Sequence, residues 1–225
     1  MDEICIACLL TSEIEHTFSK DELKSLSENH AELTFKTGEI IVREGSLTSN
    51  VAFLKQGLVK LHMKGPVFEQ IIKIEKAPAY LTLSSTFGER INHYSVTAIE
   101  PSTICFIDLS VFIRFVNNNT KFTKMLLAEL CKNELISYHR CLNRTQKQVR
   151  GSIAENILYF ANEIYHSDSF ILPLHREEFG YLIDATRESV SRVLSEFHNE
   201  KIIELNKNQI HILNKEMLEL ISKNG

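Results

Sequence analysis

Short apolar runs separated by turn sequences fill the first half of the chain. Between about residues 31 and 112, apolar segments alternate with turns such as Glu44-Gly45 and Gln56-Gly57. The pattern predicts strands at residues 33–35, 40–42, 51–54, 58–63, 70–74, 94–99 and 103–107. Many short strands at close spacing, with no helical stretch between them, favour a β-sandwich, a β-barrel or a jelly roll.

After residue 118 the apolar positions recur every three or four residues. The recurring positions are Ala128, Cys131, Leu135, Tyr138, Leu142, Thr145 and Val149. This is the a/d spacing of a two-stranded coiled coil, so the pattern predicts a helix at residues 119–149 whose seam faces a second copy of the chain. A second stripe, predicted to pack on the chain's own β domain, consists of Phe122, Leu126, Leu127 and Leu130. In the alternative interpretation, the helix lies on its own β domain and has no partner.

The last third of the chain has helix-turn-helix spacing. A helix is predicted at residues 152–165, opened by Gly151, and two short helical patterns then meet at a turn within residues 174–194. Asp184 tolerates the left-handed turn position, and Thr186 is a good N-cap for the second helix. Residues 201–205 and 209–213, on either side of a turn at 206–208, predict a two-stranded wing. The apolar face of the second helix is predicted to comprise Val190, Val193, Leu194 and Phe197.

The opposite face of this second helix carries side chains that are able to read DNA bases. It comprises Glu188, Ser191, Arg192 and Ser195, with Arg187 in the first turn. An arginine can donate two parallel hydrogen bonds to guanine O6 and N7, and a glutamate can accept one from a cytosine amine. The alternative is a solvated, salt-bridged helix face without a ligand.

Composition limits the class of protein. The chain has 225 residues, 44% of them hydrophobic, with only 8 Gly and 4 Pro, which excludes a disordered or fibrous protein. No run approaches the roughly 18 to 20 apolar residues of a membrane span, and the first residues are acidic where a signal peptide is basic. We therefore expect a cytoplasmic protein with no membrane partner.

Charge is distributed unevenly along the chain. The formal net charge is −4, yet residues 119–149 carry 6 Lys and Arg against 2 Asp and Glu, while residues 150–225 carry 8 against 12. Contact with a polyanion must therefore be local, and the acidic balance does not exclude DNA.

Candidate catalytic chemistry is sparse. The sequence has no nucleophile–base pair and no glycine loop of the kind that holds phosphate. His62, His93, His139 and His175 are scattered, with no two at metal-ligand spacing. We therefore expect a protein that is not an enzyme.

Two motifs resemble the Crp/Fnr family of bacterial transcription factors, which includes the cyclic-AMP receptor protein and the anaerobic regulators. Residues 186–192, Thr-Arg-Glu-Ser-Val-Ser-Arg, closely resemble the recognition helix of that family. Phe35, Gly38-Glu39, Gly45 and Phe53-Leu54-x-x-Gly57-x-Val59 resemble its glycine pattern. The resemblance extends over residues 18–213. It implies an α+β protein with a double-stranded β-helix (a jelly roll like the cyclic-nucleotide-binding domain) at 1–118, a dimerisation helix at 119–149 and a winged helix-turn-helix at 150–225.

The resemblance also implies a function. Arg187, Glu188, Ser191 and Arg192 would contact double-stranded DNA, and a homodimer would read the two half-sites of a palindromic operator one helical turn apart. Glu188, Ser191 and Arg192 resemble the reading residues of the anaerobic regulators, whereas Arg187 is more like the cyclic-AMP receptor type. RNA polymerase is a further implied partner. The competing hypothesis is a sensor or scaffold that has lost DNA binding, which the acidic balance of residues 150–225 favours.

The signal is not expected to be cyclic AMP. Family members that bind cyclic nucleotides carry Gly-Glu, then about ten residues, then Arg-Ser or Arg-Thr, whereas the matching positions here are Leu81-Thr82 and Asn92-His93. Gly88-Glu89 occurs at a different spacing from the strand that follows. The effector of the roll is therefore unidentified.

Cysteines offer a second kind of signal. Cys5-x-x-Cys8 together with Cys105 resembles the placement in iron–sulfur members of the family, although those members have three N-terminal cysteines. The set predicts either an iron–sulfur cluster or a reversible Cys5–Cys8 disulfide. The alternative is that Cys105 is a buried small hydrophobe. Cys131 and Cys141, on the predicted dimer helix, are expected to be packing residues.

Overall fold

The computed structural model describes residues 19, 24–26 and 28–225, so Cys5 and Cys8 lie outside the described residues. The chain forms two compact units, one with residues up to 64 and residues 72–135, the other with residues 65–71 and 136–225. Within the described part, no helix is both long and apolar enough to cross a bilayer.

The N-terminal half of the chain contains a β-roll of two four-stranded sheets. The sheet orders are β1-β8-β3-β6 and β2-β7-β4-β5. The strands are β1 (His30–Phe35), β2 (Ile40–Val42), β3 (Asn50–Gln56), β4 (Leu58–Lys64), β5 (Glu69–Lys76), β6 (Ala79–Tyr80), β7 (Ser95–Ala98) and β8 (Ser102–Asp108). All seven predicted strands are therefore confirmed within a few residues, and only the two-residue β6 was missed.

Two helices occur where the sequence predicted none. The short α1 (Leu83–Phe87) precedes β7, and α2 (Leu109–Asn118) follows β8 directly. Asp108 caps α2, because its side chain accepts hydrogen bonds from the backbone N–H groups of Ser110 and Val111. The expectation of an all-strand segment up to residue 112 was wrong at these places.

The long helix α3 (Thr120–Gln146) packs on the roll through its first two turns. Phe122 and Leu126 are buried in one apolar cluster with residues of the roll, and the Phe122 ring lies 5.6 Å from that of Phe112 on α2. Leu130 is partly buried against the same cluster. Leu127 was assigned to this stripe wrongly: it is 59% exposed, because it lies about 100° around the helix from the buried Leu126.

Further along α3, the predicted seam is exposed. Leu135, Tyr138 and Leu142 are among the exposed large apolar residues, and Cys131 and Cys141 are also exposed. Packing of these two cysteines against a partner helix stays a prediction. The helix ends at Gln146, so Val149 is not on it as predicted but opens the next helix.

The second unit contains the C-terminal domain. Its elements are α4 (Val149–Tyr159), a π-helical segment (Phe160–Tyr165), β9 (Ser169–Ile171), α5 (Arg176–Ile183), α6 (Arg187–Asn199), β10 (Ile203–Asn206), β11 (Gln209–Ile212) and α7 (Lys215–Asn224). The helix that was predicted to open at Gly151 thus starts two residues earlier, at Val149. The wing is a three-stranded sheet in the order β10-β11-β9, because β9 pairs with β11. The two-stranded prediction missed β9, and α7 was not predicted.

Candidate nucleic-acid interface

A three-residue turn joins α5 to α6. Asp184 has φ 60°, the left-handed conformation predicted for it. The carbonyl of Gly180 accepts hydrogen bonds from the backbone N–H groups of both Asp184 and Ala185. Gly180 lies so close to the turn that an added Cβ would meet the oxygen of Ala185 at 2.3 Å. Glycine at 180 therefore lets the turn pack directly against α5.

Caps fix the first turns of both helices. The Thr186 Oγ1 accepts a hydrogen bond from the Ser189 N–H at 3.2 Å, which confirms the predicted N-cap of α6. At the start of α5, the His175 N–H donates to Glu178 Oε2 at 3.0 Å in a capping box. The start of α6 is thus fixed by a hydrogen bond to the residue that precedes it.

The apolar face of α6 is buried as predicted. Its four residues, Val190, Val193, Leu194 and Phe197, are each at most 2% exposed. The helix contacts α4, α5 and β10. Because this face is fixed in the core, the opposite face is presented to solvent.

The predicted reading residues lie together on that opposite face. Arg187, Glu188 and Arg192 are exposed, and Ser191 is half-buried. The Ser191 Oγ donates to the Arg187 carbonyl at 2.9 Å, so its hydroxyl hydrogen is used within the helix and its oxygen remains an acceptor. The arrangement can donate through two guanidinium groups and accept through one carboxylate, which are the groups that recognise base edges in the major groove.

A network of ion pairs, which the sequence analysis did not identify, runs along the same helix. Arg192 Nη1 donates to Glu196 Oε1 at 3.1 Å, and Glu196 Oε2 accepts from Arg150 Nη1 at 3.2 Å. Arg150 lies on α4, where its Nη2 also donates to Glu200 at 2.5 Å and its guanidinium carbon lies 4.8 Å from the centre of the Phe197 ring. The hydrogen bond to Glu200 raises the pKa of Arg150. The four-residue spacing of Arg192 and Glu196 was the available sequence signal.

The wing is attached to the helix-turn-helix by a side chain. Arg176, in the first turn of α5, donates from Nη2 to the carbonyl of Lys207 at 2.8 Å. Lys207 lies in the β10–β11 turn and has φ 55°. Burial lowers the pKa of Arg176. One face of the wing sheet carries a shallow polar cleft, which is lined by Ser169, Glu204, Asn206, Gln209 and His211.

Comparison with known proteins identifies both units. Residues 153–221 match the Crp-like helix-turn-helix domain, and residues 32–119 match the cyclic nucleotide-binding domain. The chain belongs to the Crp/Fnr family of transcriptional regulators. It is a DNA-binding regulator of the Crp/Fnr type, with the fold class predicted from the sequence.

Individual Crp/Fnr relatives are distant. The chain is 27% identical to the transcriptional regulatory protein Btr of Bordetella pertussis over 124 residues, which are 53% of this chain and about half (51%) of that protein. It is 22% identical to the electron transport regulator A of Shewanella oneidensis over 220 residues, covering 94% and 87% of the two chains. The structure of FixK2 from Bradyrhizobium japonicum superposes with a TM-score of 0.77 at 18% identity, covering 85% of this chain and 96% of that one.

In this Crp/Fnr roll, the residues at the nucleotide-binding positions bind their own chain. Asn92, at the arginine position, is 5% exposed, and its amide nitrogen donates to the Ser46 Oγ at 3.0 Å while its oxygen accepts from the Thr48 Oγ1 at 3.2 Å. Thr82 is also buried, and its Oγ1 accepts from the Ala52 N–H at 2.9 Å. Neither residue offers a guanidinium or a carboxylate, the groups that hold a cyclic phosphate and a ribose.

The predicted cysteine ligands are only partly described. Cys105 lies on β8, is fully buried and belongs to the apolar cluster under α2. Its thiol is therefore closed off from solvent. Within the described residues, no group of three His, Cys, Asp or Glu side chains could hold a metal ion. Because Cys5 and Cys8 lie outside those residues, the iron–sulfur cluster and the Cys5–Cys8 disulfide stay predictions.

Proposed function

We propose that this regulator is a homodimer that reads a palindromic operator through Arg187, Glu188, Ser191 and Arg192 of each protomer, under the control of a signal at the roll other than cyclic AMP. The observation that carries the proposal is the exposed face of α6. Two guanidinium groups and a carboxylate lie there on a helix whose other face is fixed in the core. Such a helix suits the major groove, which admits an α-helix and presents a distinct pattern for each base pair.

The α3 seam supports the homodimer. Leu135, Tyr138 and Leu142 are between 50% and 60% exposed and lie at a/d spacing on one side of a 27-residue helix. Exposed apolar side chains aligned in this way are covered when two such helices form a coiled coil. A second copy of the same chain meets that requirement, because an isologous interface is formed by the same patch on both protomers.

The residues at the nucleotide positions support a signal other than cyclic AMP. Asn92 and Thr82 are already engaged with the roll's own loops and strands. A redox signal through Cys5, Cys8 and Cys105 stays the alternative prediction. The proposal also includes RNA polymerase as a partner, a cytoplasmic location and a role without catalysis. The names of the matching relatives, which are regulators, support the last of these. The second alternative, a scaffold without DNA binding, disagrees with the family assignment.

A selection from random DNA duplexes tests the proposal. The purified protein should enrich one palindromic sequence, and its affinity should fall steeply with added salt because phosphate contacts release counterions. Arg192→Ala should lower affinity by about 1–3 kcal/mol and relax specificity at one base pair of each half-site. Enrichment of no sequence, or unchanged binding by the Arg192→Ala variant, would show that the assignment of these reading residues is wrong.

A further inference from the structure

We infer that Glu196 is a specificity-determining residue, which acts by holding the Arg192 guanidinium in the orientation that reads a base. The inference rests on the proposed reading role of Arg192. Glu196 lies one turn further along α6, and its two carboxylate oxygens have different arginine partners. Oε1 accepts from Arg192 at 3.1 Å and Oε2 accepts from Arg150 at 3.2 Å.

Arg150 anchors this network of ion pairs. Its side chain is 32% exposed and is held by Glu196, by Glu200 and by the face of the buried Phe197 ring. A guanidinium with two carboxylate partners and an aromatic neighbour has little rotational freedom. Glu196 is therefore restrained from the α4 side and can restrain Arg192 in turn.

The hydrogen bond to Glu196 leaves the useful edge of Arg192 available. It engages Nη1, whereas Nε and Nη2 carry the parallel N–H groups that can donate together to guanine O6 and N7. No other polar group of the described residues contacts this guanidinium, and the side chain is 68% exposed. Without Glu196, the long exposed side chain of Arg192 would lose its rotamer freedom only on binding DNA. This loss of conformational entropy would weaken binding. Arg187, by contrast, has no ion-pair partner within the part of the chain that the structure describes.

The Arg192–Glu196 ion pair contributes little to the stability of the isolated protein. An exposed pair four residues apart on a helix contributes little to stability. Glu196→Ala also removes the half-buried contact with Arg150, but Arg150 keeps Glu200 as a partner, so the domain is not expected to unfold. A purely structural role therefore predicts a small change in melting temperature and no change in base preference. A positioning role predicts a loss of discrimination at the base pair that Arg192 reads.

The test measures discrimination at every base pair of the operator selected by the wild-type protein. The measured quantity is the ratio of Kd for an operator with one altered base pair to Kd for the selected operator, at fixed salt. Glu196→Ala should lower this ratio by about three- to tenfold at one position of each half-site only. Glu196→Gln, which keeps an acceptor oxygen but not the charge, should give a smaller loss. Glu219→Ala, which removes an exposed carboxylate on α7, is the charge-matched control and should leave every ratio unchanged.

A double-mutant cycle with Arg192→Ala separates the outcomes. Arg192→Ala alone should lower the ratio by about 5- to 150-fold at the same position. Glu196→Ala should then have no additional effect in the Arg192→Ala background, because its action passes through that side chain. If Arg192→Ala relaxes one position while Glu196→Ala changes none, the positioning role is refuted and the proposed function stands. If Arg192→Ala relaxes no position, the reading role of Arg192 fails, and this inference fails with it.

Discussion

Gly180→Ala should damage the helix-turn-helix although it places a better helix former inside a helix. The new Cβ would lie 2.3 Å from the carbonyl oxygen of Ala185, so the turn must move by about 1 Å to reach ordinary contact. Alanine in place of glycine stabilises a helix interior by about 1 kcal/mol. Overpacking against backbone, which cannot rotate away, costs about 3 kcal/mol at the upper end of its usual range. We therefore expect a net loss of about 2 kcal/mol, together with a displaced Thr186 cap.

Two measurements follow this change. Urea unfolding reports the stability, and hydrogen–deuterium exchange of peptides within residues 176–199 reports whether the loss lies in α5 and α6. DNA affinity should fall as well, because the start of α6 moves with the turn. Gly38→Ala is the control: Gly38 has φ 86° and open space around it, so alanine there strains the roll but leaves the turn in place. If residues 176–199 of the Gly180→Ala variant exchange hydrogen as slowly as those of the wild type, and the variant binds DNA normally, the turn does not depend on this close contact.

Three further predictions concern the seam and two caps. Tyr138→Asp and Leu142→Asp should each give a folded monomer by light scattering. Ser137→Asp, on another side of α3, should leave the oligomeric state unchanged. If the double variant Tyr138→Asp, Leu142→Asp is still a dimer, the interface lies elsewhere. Thr186→Ala should cost about 1 kcal/mol in thermal unfolding and Thr186→Ser little, since serine also accepts the Ser189 N–H; equal losses would argue against the cap. The hydroxyl of Ser110 lowers the pKa of Asp108 below its ordinary value. The charged carboxylate therefore stabilises the fold above a pH of about 4, and this contribution is lost as the pH falls through the lowered folded-state pKa. The stability difference between the wild type and Asp108→Asn should shrink on acidification from about pH 6 to pH 3, and a constant difference would contradict it.

The elements that sequence reasoning recovered are those with a strong local signal. Alternating apolar residues between Gly-containing turns located the strands of the roll. Asp184 and Thr186 located the helix-turn-helix, because few residues adopt a left-handed turn and few side chains cap a helix. The buried and exposed faces of α6 followed from the helical period alone.

The elements that were missed depend on signals that are weak or distant. Leu109–Asn118 is as apolar as a strand, and only the cap formed by Asp108 separates it from β8. Leu127 lies between two roll-facing positions in sequence, but it is rotated about 100° around the helix from Leu126 and is exposed. The short strand β9 is specified by its pairing with β11, which is about 40 residues away. Arg150 reaches Glu196 across 46 residues, a contact that no local pattern could predict.

The complete burial of Cys105 turns this residue into a reporter of motion. A thiol within the closed core of the roll cannot meet an alkylating reagent, so its reaction requires a local opening of β8 and its neighbours. Cys141 is exposed and is not one of the seam positions, so it should react at once. In a variant that retains Cys105 as its only cysteine, the alkylation rate would measure how often the roll opens. A compound that binds the roll would slow that rate, which offers a way to search for the effector without knowing its chemistry.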